Sequence, residues 1–124
     1  MIHLEDVQEM ALALPETRAG FNEGGQFFVE VAGKGIAWTW MERVVPKKPR
    51  VPCLDALAIR VSNLEIKEAL LASNDAAFFT EPHYNNYPAI LVRLPEVDAE
   101  EFRDLLTAAW RAKAPKRLLK DSGL

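Results

Sequence analysis

The sequence predicts a single α+β domain, residues 1–124, in two layers: a largely antiparallel sheet packed by helices. Three observations carry this. Strand-like stretches at residues 26–31, 36–42 and 55–61 follow one another across short connections, which pairs neighbours antiparallel. Apolar stripes of helical period occupy residues 3–14, 62–72 and 98–113. A chain of 124 residues supplies one real core and not two.

Each element has its own warrant. In residues 3–14, Leu4, Val7, Met10, Ala11 and Leu14 share a stripe that Pro15 stops. A loop with Gly20, Gly24 and Gly25 leads to residues 26–31, where Phe27, Val29 and Val31 alternate with other neighbours. Gly33-Lys34-Gly35 is a tight turn into a strand with Ile36, Trp38 and Trp40 on one face, closing a β-hairpin. Pro46-Lys47-Lys48-Pro49-Arg50-Val51-Pro52 is a stiff cationic loop, because three prolines in seven residues suit neither helix nor central strand. Leu57, Ile59 and Val61 alternate in the next strand. Ser62 with Glu65 matches a capping box for the helix to Ala72. Residues 75–79 read as a helical turn or a short edge strand, and residues 89–94 as a strand. Asp98 with Glu101 caps a final helix whose Phe102, Leu105, Leu106, Ala109 and Trp110 form its buried face. Pro115 ends it and opens a short turn over residues 116–120.

Composition is that of an ordinary globular chain, 49% apolar and 27% charged. Met1-Ile2-His3-Leu4-Glu5-Asp6 shows no secretory pattern, and no stretch approaches the roughly 20 apolar residues of a membrane span. Cys53 is the only cysteine, which excludes an internal disulfide and suits a reducing cytoplasm. Net charge is −3, yet bases cluster locally: Arg43, Lys47, Lys48 and Arg50 in one segment, and Arg111, Lys113, Lys116, Arg117 and Lys120 in another, with no acid in either. Folded together, they would form one positive patch. A solvated loop and a solvated tail account for the same charges.

Motifs of catalysis are missing. His3, His83 and Cys53 have no ligand spacing for zinc, so no metal and no organic cofactor are expected. A Cys53–His83 nucleophile pair is less economical than a buried cysteine between Pro52 and Leu54. Glu100-Glu101 belongs to a helix start, and Gly33-Lys34-Gly35 lacks the rest of a phosphate loop. The run His83-Tyr84-Asn85-Asn86-Tyr87, held between Pro82 and Pro88, has two readings. It hydrogen-bonds and stacks on bases, or it satisfies a rigid loop while Tyr84 packs on the sheet. Trp38 and Trp40 are core if their face is helix-covered, and a stacking platform if it is not.

Several stretches together resemble the MmcQ/YjbR family of small bacterial proteins. They are Leu14-Pro15-Glu16-Thr17; Phe28-Val29 through Gly33-Lys34-Gly35-Ile36-Ala37-Trp38; Leu57-Ala58-Ile59-Arg60-Val61 into Lys67-Glu68-Ala69-Leu70-Leu71; Phe78-Phe79 through Pro82-His83-Tyr84; and Trp110 followed by Ala114-Pro115-Lys116-Arg117-Leu118. The resemblance implies the order α-β-β-β-α-β-β-α, a fold like that of secretion chaperones, with a short strand near residues 78–80. It also implies a DNA-binding role with a double-wing arrangement. Two departures stand out: residues 17–22 lack the Trp-Gly-His-Pro type of sequence many relatives carry, and residues 46–52 are longer than the usual connection.

Two function classes follow, with an enzyme disfavoured for want of a motif. In the first, Arg43, Lys47, Lys48 and Arg50 on the loop and Lys113, Lys116 and Arg117 on the C-terminal turn contact DNA phosphates, weakly and with little sequence preference. His83, Tyr84 and Asn85 form a candidate loop site. In the second, a sheet face or edge docks another protein, with no nucleic-acid role.

Overall fold

In a computed structural model, residues 2–42, 46–73 and 75–122 are described. The N-terminal stripe forms helix α1 (Leu4–Leu12), which buries Val7 and Ala11. Its start is fixed by the His3 N–H, which donates to the Asp6 carboxylate at 2.8 Å. It stops short of the expected Leu14 because the residue before Pro15 is pushed out of helical conformation. The chain continues as β1 (Thr17–Phe21), β2 (Phe27–Val31), β3 (Lys34–Glu42), β4 (Val51–Arg60), α2 (Leu64–Ala72), β5 (Phe78–Phe79), β6 (Ala89–Arg93), α3 (Ala99–Lys113) and α4 (Lys116–Ser122). A 3-10 turn, Pro82–Tyr84, lies between β5 and β6.

The strands form one sheet in the order β1-β2-β3-β4-β6-β5, with every pair antiparallel. This is the expected α+β class. β1 is an addition: residues 17–21 read as loop in the sequence, yet they pair along β2 from Thr17↔Val31 to Phe21↔Phe27. The ambiguous 75–79 segment resolves into the short edge strand β5.

Helices α1 and α3 cover one face. Phe27, Val29 and Val31 of β2, Leu57 and Ile59 of β4, and Ile90 and Val92 of β6 pack there with Phe102, Leu106, Ala109 and Trp110 of α3. Trp110 is fully buried and its indole N–H donates to the Pro15 carbonyl at 2.9 Å, while Leu105 is only half-buried. Asp98 caps α3 as expected, accepting from the Glu101 N–H at 3.1 Å. For α2 the cap is Asn63, accepting from the Ile66 N–H at 2.9 Å, and not Ser62.

Two features of the hairpin differ from expectation. Its turn is Ala32-Gly33, with φ of 48° and 83°, the pair of positive values that matches strand twist in a two-residue loop. The second is a β-bulge: Val29 pairs with Ala37 but Glu30 with Gly35, which leaves Ile36 as the extra residue. Ile36 and Ala37 are consequently both buried. Trp38 and Trp40 do not share the face of Ile36, and point away from α1 and α3.

Candidate functional site

Directly paired residues of an antiparallel sheet lie on the same face. Phe28, Trp38, Ala58, Leu91 and Phe79 therefore make one row across the outer face, the side away from α1 and α3. Arg18, Arg60 and Arg93 are two residues along from members of that row or its continuation, so they share this face. Each guanidinium lies over rings: Arg18 over Phe28 at 5.7 Å, Arg60 over Trp38 at 5.3 Å and Tyr87 at 5.7 Å, Arg93 over Phe79 at 4.0 Å. Arg18 also pairs with Glu30 at 3.4 Å. Arg93 donates to the Ala76 carbonyl at 2.8 Å, and Arg60 donates through Nε to the Gly35 carbonyl at 2.7 Å.

Residues 80–88 partly roof this face. The Trp38 indole N–H donates to the Tyr84 hydroxyl at 3.1 Å, and Tyr87 stands edge-on to both rings. The loop is held from beneath by Lys67, whose ammonium donates to the carbonyls of Tyr84 and, at 3.0 Å, of Tyr87. Lys67 is only 4% exposed, and that burial lowers its pKa. Its signal in the sequence is a lysine three and four residues before Leu70 and Leu71, on an otherwise apolar helical stripe.

The loop residues singled out in the sequence separate. His83 and Tyr84 line a recess of about 210 Å³ with Trp38 and Tyr87. Asn85 instead borders a groove of about 310 Å³ against α2, beside Lys67 and Thr80. At the other end of the outer face, Trp40, Cys53, Phe79 and Arg93 line a cleft of about 360 Å³. Trp38 and Trp40 are half-buried, neither core nor a bare platform. The buried Nε1 of Trp40, Oγ1 of Thr80 and Oε1 of Glu81 find no partner among the described residues.

The two basic segments do not meet. Lys47, Lys48 and Arg50 are exposed in the β3–β4 connection, where Arg50 donates to the Met41 carbonyl at 3.0 Å; Arg43 lies outside the described residues. Lys116 and Arg117 are exposed on α4, with Lys113 half-buried at the end of α3. Arg117 grips both carboxylate oxygens of Glu16, at 2.7 and 3.1 Å. That hydrogen bonding, aided by the pair's charge attraction, lowers the Glu16 pKa and raises that of Arg117. The Glu16 carbonyl in turn accepts from the Ala32 N–H at the hairpin turn. Arg117 thus sits at the Lys34 end of β3, and the 46–50 loop leaves from the Glu42 end. Nine residues of strand, at about 3.3 Å each, put roughly 25–30 Å between them. Among the described residues, the two sets of cations therefore lie toward opposite ends of the sheet.

Among the described residues, no three His, Cys, Asp or Glu side chains are grouped to hold a metal ion, and no helix is long and apolar enough to cross a membrane. The frame is thus an α+β domain whose sheet has one helix-covered face and one aromatic, arginine-bearing face. The chain belongs to the YjbR family, whose model matches residues 12–112. It is 42% identical over 99 residues to uncharacterized proteins of Mycobacterium tuberculosis (Rv2570) and Mycobacterium bovis (Mb2600), covering 73% of this chain and 74% of each relative. Its fold is similar to the crystal structure of Deinococcus radiodurans protein DR2400, described by the domain DUF419. The TM-score there is 0.67 at 21% identity, over 100% of this chain and 90% of that one.

Proposed function

We propose that this chain is a nucleic-acid-binding module of the cytoplasm that works through its outer sheet face. The observation that carries the reading is the placement of Arg18, Arg60 and Arg93 on aromatic rings of that face. The exposed Lys47, Lys48 and Arg50 extend its Trp40 end, since Trp40 pairs with Cys53 and the strands join through the 46–50 loop. Rings and guanidinium planes accept bases, and cations accept phosphates. Guanidinium groups stay protonated near neutrality, so the three arginines give the face a fixed positive charge. Lys113, Lys116 and Arg117 belong to a different corner and are left out of the surface. With a net charge of −3, attraction is local and duplex affinity falls in the weak range of about 10⁻⁴–10⁻⁶ M at physiological salt.

The test is a DNA titration at several salt concentrations. Replacing Lys47, Lys48 and Arg50 together by Ala flattens the log–log salt slope by up to about three units. Replacing Lys116 and Arg117 by Ala leaves it unchanged. No binding by the wild type at low salt overturns the reading. It would favour protein docking instead, for which the exposed Phe21 and Leu54, lining a groove of about 580 Å³ beside α1, are the natural surface.

A further inference from the structure

We infer that the recess of Trp38, His83, Tyr84 and Tyr87 seats a single unpaired aromatic base, with the phosphate of the same nucleotide on Arg60. The inference deepens the nucleic-acid reading and, for its strand ligand, rests on it. Size is the first reason. At about 210 Å³ the recess is smaller than the roughly 300–1,000 Å³ clefts that enclose whole drug-sized ligands, and suits one flat ring system.

The second reason is Arg60 itself. Its Nε is committed to the Gly35 carbonyl, and its Cζ lies 5.3 Å from the Trp38 ring centre and 5.7 Å from that of Tyr87. The guanidinium is therefore fixed in place while half-buried. Yet its two Nη groups have no acceptor and no carboxylate partner among the described residues. A partly desolvated, immobilised cation without a counter-charge is matched by an anion that brings two oxygens to the fork, as a phosphate does.

The third reason is the roof. Lys67 holds the backbone of Tyr84 and Tyr87, so the rings are positioned before any ligand arrives. Pre-organised rings lose less freedom on stacking. Bases inside a duplex are stacked and paired, and cannot enter such a recess without being extruded. Single strands, loops and ends present theirs freely.

The Trp38 indole proton, hydrogen-bonded to Tyr84, is a built-in NMR reporter. It is followed while the protein is titrated with a nucleoside 5′-monophosphate, the bare nucleoside, inorganic phosphate, a short single-stranded oligonucleotide and the same sequence as duplex. The single strand is expected to move the Trp38 signal and to bind about tenfold or more tighter than the duplex. Tyr87→Leu and Arg60→Lys should each weaken it about fivefold or more, one by removing a stacking face and the other the fork. Tyr87 is exposed, so its variant keeps the fold, which an unchanged melting midpoint verifies. Saturable binding of the monophosphate beside the strand identifies free nucleotides as ligands too, and binding of the strand alone identifies the strand as the source.

Failures of the two readings separate. Single strand and duplex binding alike, insensitive to Tyr87→Leu but weakened by the Lys47, Lys48 and Arg50 replacement, overturns the recess and keeps the nucleic-acid reading. Monophosphate binding without any oligonucleotide binding keeps the recess and overturns the larger reading. Inorganic phosphate matching the nucleotide, or a silent Trp38 signal throughout, overturns the base site.

Discussion

Trp38 and Tyr84, 46 residues apart in the chain, are joined by an indole-to-phenol hydrogen bond of 3.1 Å. The bond fixes the 80–88 loop over the outer face and shapes the recess beneath it. Tyr84→Phe removes the acceptor and leaves the ring. The expected loss is about 0.5–1.5 kcal/mol, measured by denaturant unfolding, with faster amide exchange across residues 81–88. Exchange unchanged in that segment would show that the bond does not hold the loop.

Lys67 is the second fastener. Lys67→Met keeps a long stem but strips the donor from two backbone carbonyls, those of Tyr84 and Tyr87. About 1–3 kcal/mol should be lost, part of it offset because an ammonium no longer has to be buried. If the variant unfolds at the wild-type denaturant midpoint, these hydrogen bonds contribute no net stability.

Much of the frame was legible in the sequence and the reasons are particular. Phe27, Val29 and Val31 alternate because one side of β2 is core, and Phe102, Leu106 and Trp110 recur at helical spacing because α3 buries one stripe. β1 was not legible, since Thr17-Arg18-Ala19-Gly20-Phe21 carries too little apolar alternation. It is a strand because β2 offers an edge. The facing of Trp38 was hidden by the bulge at Ile36, which shifts the parity of everything after it and cannot be read from alternation alone. For the site, Tyr84 and His83 stood out by composition, whereas Arg60 and Lys67 gained meaning only when the sheet and α2 brought them to Trp38 and the loop. The separation of the two basic segments was a matter of topology, beyond the reach of any local pattern.

Trp110 ties α3 to the turn after α1. Trp110→Ala should cost about 3–5 kcal/mol through the cavity and lost burial. Trp110→Phe should cost less, about 1–3 kcal/mol, chiefly because the Pro15 carbonyl loses its donor. Urea unfolding of both variants checks the order: a Phe variant as stable as the wild type would contradict the role given to that hydrogen bond, and equal losses would contradict the cost given to the cavity.

Glu16 and Arg117 make a prediction in pH. The folded-state pKa of Glu16 is lowered, so the pair's contribution is present above the ordinary carboxylate range and is lost as pH falls through the depressed value. Glu101 opposes this: burial and the neighbouring Asp75, Asp98 and Asp104 raise its pKa, so acid relieves it. The difference in unfolding free energy between wild type and Glu16→Gln isolates the first effect. That difference should be small, because the pair is solvent-exposed, and should shrink on acidification and in high salt. A difference that grows on acidification would contradict the assignment.

The most direct measurement is a map of backbone amide shifts as a short single-stranded oligonucleotide is added to the labelled protein. Perturbations are expected to concentrate on β3, β4, β6 and the 46–50 and 80–88 segments, with Trp38, Arg60 and Tyr87 among the largest. Lys116 and Arg117, at the far end of the sheet, should stay still. Shifts centred on α4, or on the α1 and α3 layer, would contradict it, as would a spectrum that the oligonucleotide leaves unchanged at low salt.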